Sequence, residues 1–535
     1  MSTNHYIKIK AIVGAICLCL IMGACTGNFE NYNTDPNRAT DEDLEKDMLA
    51  LGGMFPSFMV DIIPTSDKDA NEYQRAQNLS GDIFSGYMAA IGQWNNSNNN
   101  STYNLFYSDW NDVGFNVAYR MMGYWSRIKA KSKEYGVDNA FDLAQILKVM
   151  TLHRITDNYG PIPYSKMGEG ALGSPYDSQE SVYKSFFHDL DSAIVNLKAF
   201  LKAAPNAKPL KKYDLIYGGD YSKWLVFANS LKLRLAMRIV YVEPVLAKKY
   251  AEEAVNDEYG VMRNNSDNAE LKTALGVQVF NPLWVCWSRY GDIRMGASME
   301  SFLKGYKDPR LPKYFSPSSL PDAGYHGVRN GMIINNKPTY MQASSPNVMN
   351  SSTDSPILWT CAAEMYFLRA EGALRGWNMG GTAGELYSRG ISTSLEQRGV
   401  TAAEAAAYTT DSTSTPAAFT DAIGGASISA STDIRIKWES NASFERNLEQ
   451  IITQKWLAMF PEGQEAWTEF RRTGYPQLFP VANNNSGGTI NTDKQVRRLP
   501  FPQSEYRANE TEVAKAVLLL GGPDNGGTLL WWDKK

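Results

Sequence analysis

The sequence has few residues of the kinds that build metal centres and covalent active sites. Its 535 residues include only 4 histidines and 5 cysteines, and only His153, His188 and His326 lie beyond residue 24. No two of them stand at a metal-ligand spacing, and none lies near a cysteine in the sequence. A glycine-rich phosphate loop and a nucleophile elbow are also missing from the sequence. We therefore expect no metal centre and no cofactor, although the Asp and Asn spacing neither places nor excludes a calcium ion.

The sequence also lacks a surplus of basic residues and a hydrophobic run long enough to span a bilayer. Lys plus Arg number 53 against 57 Asp plus Glu, which argues against binding nucleic acid through a basic face. The apolar run at 11–22 covers roughly 18 Å of a hydrocarbon core about 30 Å thick. The chain is instead 43% hydrophobic and contains 13 Trp and 29 Tyr. This composition is enough for a large core, and we expect some of the aromatic side chains to lie at the surface.

The N-terminus has the layout of an exported lipoprotein. Two lysines precede the apolar run and small residues close it, as in a secretory signal. The closing tetrapeptide MGAC at 22–25 resembles the lipobox cut by lipoprotein signal peptidase, with Met where Leu is commonest and Gly where Ala or Ser is. We expect a signal peptide at 1–24, lipid on Cys25 and a polar tether at 25–40. The alternative is simple secretion.

Two cysteines remain once those of the export signal and Cys25 are set aside. Cys286 and Cys361 either form a disulfide, which an oxidising compartment permits, or stay as two buried thiols. The sequence does not decide between these states, and we favour free thiols.

From residue 41 onward the dominant period is helical, and apolar residues recur at the i, i+3, i+4, i+7 spacing of amphipathic helices. These stripes begin at Leu143, Tyr183, Trp224, Ala363 and Leu448. Asp177 and Glu180 stand at capping-box spacing before the second stripe. Segments that begin near 141, 178 and 221 are spaced like helix-pair repeats. The sequence therefore predicts a mainly α fold of degenerate helix pairs.

Long stretches rich in Gly, Pro, Ser and Asn interrupt these helices at 93–102, 263–357 and 402–433. They show no helical period. Stretches of this length inside a compact protein are usually functional surfaces or small insertions.

Several sequence blocks, in order, resemble the SusD/RagB-like family of nutrient-binding outer-membrane lipoproteins, most closely its second subgroup. The blocks are NTDPN at 33–37, HRITDNYGPIPY at 153–164, the helix at 359–377, TQKW at 453–456 with EAW at 465–467, RRTGYP at 471–476, RRLP at 497–500 and LWWD at 530–533. In RRTGYP, Gly474 and Pro476 suit a helix stop, and the two arginines suit a hydrogen-bonded corner.

This resemblance implies one SusD-like domain at 41–535, a scaffold of about four tetratricopeptide-like helix pairs carrying long loops and small strands. It also implies a cell-surface protein that binds a glycan or other nutrient in its loop region. The implied partner is a SusC-like, TonB-dependent barrel transporter in the outer membrane. The blocks identify the family and do not identify the ligand.

The first candidate ligand surface is the loop WNNSNNNSTY at 94–103. A sugar binder needs exposed aromatic rings for stacking and planar amides for the hydroxyl groups, and here Trp94 and Tyr103 frame a run of amides that begins at Asn95. The alternative interpretation of the asparagines is a solvated low-complexity linker.

The second candidate surface is an aromatic and charged cluster in the loops between the middle repeats, where family members commonly place stacking aromatics. Its residues are Trp284, Trp287, Arg289, Tyr290, Asp292 and Arg294. The alternative is a loop folded onto the scaffold, with the two tryptophans as buried anchors.

Catalysis is not expected from this sequence. Glycoside hydrolysis usually needs two carboxylates about 5 to 9.5 Å apart, whereas Glu364 and Glu371 stand two helical turns apart, roughly 10 Å along the axis. They are better explained as hydrogen-bonding groups between helices. Two other classes stay open: an oligopeptide-binding lipoprotein of the same type, and a helical-repeat adaptor that binds protein alone.

The lipid anchor is directly testable. Palmitate labelling should mark the wild-type chain and not the Cys25→Ala variant, because the acyl chains need the thiol of Cys25. Equal labelling of the two would refute the anchor and leave a secreted protein.

Overall fold

The computed structural model describes residues 48–65, 70–167, 174–349 and 355–535. The predicted signal peptide at 1–24, Cys25 and the tether at 25–40 lie outside the described residues. The chain divides into two units, residues 1–53 and 54–535. The described part of the first unit holds one short helix, Leu49–Gly52.

Helices dominate the second unit. Its α-helices of eight or more residues are α1 (Met54–Asp61), α2 (Val113–Tyr135), α3 (Asp138–Tyr159), α4 (Gln179–Ala203), α5 (Tyr221–Arg238), α6 (Pro244–Asn256), α7 (Ala297–Gly305), α8 (Ala362–Leu374), α9 (Ala383–Gln397), α10 (Ala402–Thr410), α11 (Phe444–Ala458), α12 (Gly463–Thr473) and α13 (Glu510–Leu520). Shorter α-helices are Asn71–Tyr73, Pro282–Trp284, Leu311–Tyr314, Lys337–Tyr340 and Gln503–Ala508. Wider π turns span Gln74–Asp82 and Val285–Arg289, and 3₁₀ turns span Trp94–Ser97, Asn100–Thr102 and Asn265–Asp267.

Strands are few and short in the described part of the chain. β1 (Met88–Ala90) pairs antiparallel with β3 (Ile293–Met295), and β2 (Ala269–Leu271) pairs antiparallel with β4 (Ile357–Thr360). The predicted mainly α fold with small-strand insertions is confirmed.

Consecutive helices pack as pairs, as their spacing in the sequence predicts. α2 packs on α3, α3 on α4, α5 on α6 and α8 on α9. The apolar stripes supply the contacts, because residues such as Leu143, Phe187 and Trp224 are fully or almost fully buried.

Two local predictions differ from the structure. The N-cap of α4 is Ser178, whose hydroxyl accepts from the Ser181 amide, so the expected Asp177 and Glu180 capping box is wrong. The Asp177 carboxylate instead accepts from the amides of Tyr164 and Ser165. The segments at 263–357 and 402–433 also contain helices, α7 and α10, which are too short to show a clear period.

A buried network of nine charged side chains joins five helices. It consists of Asp157 on α3, Arg234 and Arg238 on α5, Glu364 and Glu371 on α8, Lys455 on α11, and Glu465, Glu469 and Arg472 on α12. Half-buried Arg375, just after α8, also pairs with Glu371 and brings the positive charges to the same number as the negative ones. Arg234 binds both oxygens of Glu364 at 2.8 and 2.6 Å, and Arg472 binds Glu371 at 2.8 and 2.6 Å. The two glutamates on α8 therefore join helices, as predicted.

The network keeps the Glu465 carboxylate ionised. Burial opposes the charge of Glu465, yet Arg238, Arg234 and Lys455 together lower its pKa to about 2. The stability that this ionised group contributes is therefore complete above its ordinary pKa of 4.5 and is lost as the pH falls toward 2.

The end of α12 has the predicted form. Gly474 has a φ of 79°, the left-handed conformation that closes a helix. Arg471 donates to the carbonyls of Asp157 and Arg497, at 2.5 and 3.0 Å, and so forms the hydrogen-bonded corner. Cys286 and Cys361 are buried free thiols, the state that the sequence analysis favours.

Breaking the network should cost far more than breaking a surface ion pair. Arg472→Leu leaves Glu371 and Glu469 buried without this partner and should lower the free energy of unfolding by about 3–5 kcal/mol. The matched control is Lys515→Leu, which breaks an exposed pair of the same 2.6 Å length with Glu512 and should cost less than about 1 kcal/mol. Urea unfolding measures both, and equal costs would contradict the role given to the network.

Candidate functional site

The β1–β3 pair brings the two candidate segments to the same end of one small sheet. Ala90, the last residue of β1, lies opposite Ile293, the first residue of β3. The next rung continues the ladder, since the Ile91 amide donates to the Asp292 carbonyl at 2.7 Å. Trp94 follows β1 by four residues and Tyr290 precedes β3 by three, so both loops leave the sheet together.

A third segment, the loop leading into the helix Lys337–Tyr340, ties these two loops. The Gln93 amide donates to the carbonyls of Ile334 and Asn335, at 3.0 Å each. The Lys337 ammonium donates to the Tyr290 carbonyl at 2.7 Å. A buried apolar cluster below them consists of Ala89, Ile91, Val328, Ile334, Tyr340 and Ala343.

Trp94 is half-buried and held in place by its neighbours. Its ring meets the Trp110 ring edge to face, with the centroids 5.2 Å apart. It also lies against the backbone of Gly92, where an added Cβ would come within 2.3 Å of the indole. Glycine at 92 is thus what lets the ring lie in this position.

Sequence reasoning missed three aromatic residues beside Trp94. Tyr107 packs edge to face on Trp110, with 4.9 Å between centroids, and the Phe106 side chain is 58% exposed. The signal that could have found them is their position just after the asparagine loop. Phe106 and the half-buried Tyr107 extend the aromatic surface that Trp94 begins, whereas Trp110 is only 7% exposed and supports the neighbouring rings from inside.

The asparagine loop divides into presented and structural residues. Asn95 and Asn96 are exposed, whereas Asn99 and Asn100 are buried. The Asn99 amide donates to the Trp94 carbonyl at 2.9 Å, and that of Asn100 to the Leu79 carbonyl at 2.9 Å. The second pair of asparagines therefore builds the loop.

The exposed asparagines are held in a rare backbone conformation. Asn95, Asn96 and Ser97 have φ values of 48°, 52° and 63°, all in the left-handed region. Thr102 donates to the Ser97 carbonyl at 2.6 Å, and the Ile334 amide donates to the Ser97 hydroxyl at 2.9 Å. Surrounding structure that holds strained backbone is a feature of ligand-binding segments.

Tyr103, a predicted contact, does not reach the surface. It is 3% exposed and its ring meets Phe84 edge to face. Its φ of 68° ends the preceding turn. We therefore leave Tyr103 out of the site.

In the second segment, Trp284 and Trp287 are half-buried, Arg289 is exposed and Tyr290 is half-buried. The Trp287 indole N–H donates to the Val348 carbonyl at 3.0 Å, which fixes one edge of the ring. Part of this segment therefore packs onto the scaffold, as the alternative interpretation of the tryptophans expects, and part of it is accessible to a ligand.

The two remaining residues of that cluster hold the loops together. Asp292 accepts from Gln74 at 2.9 Å and pairs with Lys337 at 2.6 Å. Arg294 donates to the carbonyls of Met341 and Ile293, at 3.0 and 2.6 Å, and burial lowers its pKa to about 10. Both side chains are buried, so they position the surface without being part of it.

The described residues contain neither a group of metal-ligating side chains nor a membrane-crossing helix. Among the described residues, no three His, Cys, Asp or Glu side chains are grouped as metal ligands. Within the same ranges, no helix combines the length and the hydropathy of a membrane-crossing segment.

Comparisons with known proteins agree with the fold. The family model "SusD-like: Susd and RagB outer membrane lipoprotein" matches residues 31–533. A solved structure of a chitin-binding SusD homologue from Flavobacterium johnsoniae is 45% identical in sequence and has a TM-score of 0.86. The match covers 91% of this chain and 99% of that homologue's chain. A Bacteroides uniformis SusD homologue is 38% identical with a TM-score of 0.83 and the same coverages.

A third structure extends this agreement. A Bacteroides vulgatus SusD homologue is 35% identical with a TM-score of 0.84, covering 92% of this chain and 99% of its own. No functionally curated protein matches the chain. The predicted family and the outer-membrane localisation are confirmed, and the chain belongs to the SusD/RagB family of outer-membrane lipoproteins.

Proposed function

We propose that this lipoprotein captures a glycan on the surface around Trp94 and passes it, without chemical change, to a SusC-like TonB-dependent transporter. The observation that carries the proposal is the β1–β3 pairing, which gathers two separate aromatic segments at one end of a sheet. The proposed contacts are Trp94, Asn95, Trp284, Trp287, Arg289 and Tyr290, together with the newly found Asn96, Phe106 and Tyr107.

The chemistry of these groups suits a neutral sugar. Ring faces stack on the C–H groups of a pyranose. The Asn95 amide nitrogen donates to the Asn98 carbonyl at 2.9 Å, so its oxygen and the exposed Asn96 amide are the groups that pair with ligand hydroxyl or amide groups. Among the proposed contacts only Arg289 is charged. The contacts that hold Ser97 lower the ordering cost of binding, because the backbone at 95–97 is already in one conformation.

The first ligand to test is a chitin oligosaccharide, since the 45% identical solved relative is described as chitin-binding. Oligopeptide binding is the second candidate function, because rings and amides also recognise peptides. The transporter partner rests on family membership, and Cys25 would keep the protein beside it in the membrane.

Removing the stacking rings should abolish binding. We expect Trp94→Ala to lower the affinity for a chitin hexamer roughly tenfold, which corresponds to about 1–1.5 kcal/mol for one ring. The double variant Trp94→Ala with Trp287→Ala should show no measurable binding. Calorimetry of the lipid-free protein against chitin, other glycans and peptides measures this. The control is Trp438→Ala, another half-buried tryptophan, which packs on Tyr387 and should leave affinity unchanged. Unchanged affinity in the folded double variant would sink the assignment.

Moving the Trp94 ring without deleting it is a second test. Gly92→Ala places a methyl group where the ring lies, so the indole must leave its position. We expect an affinity loss close to that of Trp94→Ala, read in the same titration. The exposed glycine substitution Gly123→Ala, which meets no neighbour within 4 Å, serves as the control. Wild-type affinity in Gly92→Ala would show that the ring position does not matter.

A further inference from the structure

A separate polar hollow of about 660 Å³ opens between α2, α3 and α4. Lys129, Lys148, Lys184 and His188 line it, and Asp189 is the one carboxylate among the described residues that do so. Lys148 is paired with Asp189, and Lys184 with Glu180 beside the hollow. The three lysines still outnumber these two carboxylates, so in a chain with a net charge of −4 this surface is locally basic. None of the proposed glycan contacts lines it.

The aromatic rings in this hollow are already covered by lysines. The Lys148 ammonium lies 3.9 Å from the Tyr164 ring centroid, 4.6 Å from that of Trp125, and 3.2 Å from the Asp189 carboxylate. Lys129 lies 5.3 Å from the Trp125 centroid. Cations on these faces leave the rings unavailable for stacking on a sugar. The hollow therefore suits an anionic group better than a glycan face.

A neighbouring hollow of about 670 Å³ has the opposite charge. The two share Phe141 and Gln145 in their walls, and Asp138 and Asp142 line the second. Asp142 is buried and accepts from the Asn196 amide at 2.9 Å. Within the described ranges, no lysine, arginine or histidine forms an ion pair with Asp138 or Asp142. A ligand cation would supply that missing partner.

We propose that the two hollows form one groove that binds an extended polypeptide segment carrying an acidic and a basic side chain about three residues apart. Asp142 and Lys148 are six residues apart on α3, about 9 Å along its axis, which an extended chain spans in about three residues. A polypeptide commonly carries both signs of charge at this spacing. Stacked helix pairs also commonly present peptide grooves. The inference does not depend on the glycan surface.

The probe is a fluorescein-labelled peptide, Gly-Glu-Ser-Ser-Lys-Gly, titrated with the detergent-solubilised full chain at low salt. Lys129→Gln with Lys184→Gln should weaken binding about fivefold, because both lysines line the basic hollow that we assign to the acidic residue. The control, Lys133→Gln with Lys202→Gln, removes the same charge from exposed positions on the same helices and should bind like the wild type.

A double-mutant cycle makes the test specific. A peptide with Gln in place of Glu should bind more weakly, and the Lys129 and Lys184 substitutions should then have no further effect. In the same way, a peptide with Gln in place of Lys should bind more weakly, and Asp138→Asn with Asp142→Asn should then have no further effect. Circular dichroism checks that the helices persist, and Lys129→Gln alone, at an exposed position, is the substitute if the double variant unfolds.

Three results would overturn the proposal. The first is the absence of saturable peptide binding at millimolar protein. The second is equal weakening by the groove and control variants, which would show non-specific charge attraction. The third is preference for an oligogalacturonate over the peptide, which would assign the groove to an acidic glycan.

Discussion

Charges inside this protein must be paired, and that requirement fixes how its helices meet. A buried carboxylate or guanidinium without a partner costs several kcal/mol, so the nine groups of the network have to meet in one arrangement. They come from α3, α5, α8, α11 and α12, which lie more than two hundred residues apart at the extremes. Relative rotation of these helices would separate charges in a low-dielectric interior. The network therefore specifies the scaffold as well as stabilising it.

The same helices reach toward the candidate glycan surface. At the start of α12, Glu462 pairs with Arg154, and Arg154 donates to Gln77 in the segment that leads to β1. From α11, the Trp456 indole donates to the Ser85 carbonyl at 2.8 Å, and the Trp456 carbonyl accepts from the Tyr87 hydroxyl just before β1. A rigid scaffold thus positions loops that carry recognition groups.

The two surfaces discussed here use their aromatic residues differently. Around Trp94 the rings contact one another and the exposed amides lie beside them. Between α2, α3 and α4 the rings hold lysine ammonium groups. Ring content alone therefore does not identify a sugar site, because what covers the ring face decides whether it can stack on a ligand.

The sequence by itself determined the helical class, the helix pairs and the family. Apolar stripes at 3.6-residue spacing and ordered sequence blocks are local signals. Such signals can be recognised in the sequence alone, because they depend only on residues close together in the chain. It also identified Trp94, Asn95 and the 284–290 segment as candidates, because their residue types stand out in loops. Where short segments carry little periodicity, as in α7 and α10, it missed the helices.

Only the tertiary structure decided which of these residues share a surface. Tyr103 and Trp94 look alike in the sequence, yet a left-handed turn buries Tyr103 against Phe84 while Trp94 stays half-exposed over Gly92. The β1–β3 ladder joins residues about two hundred positions apart. The arginines that bind Glu364 and Glu371 stand 130 and 101 positions from them in the sequence. Such pairings depend on how buried surfaces and charges fit together across the whole chain, and no local pattern contains that information.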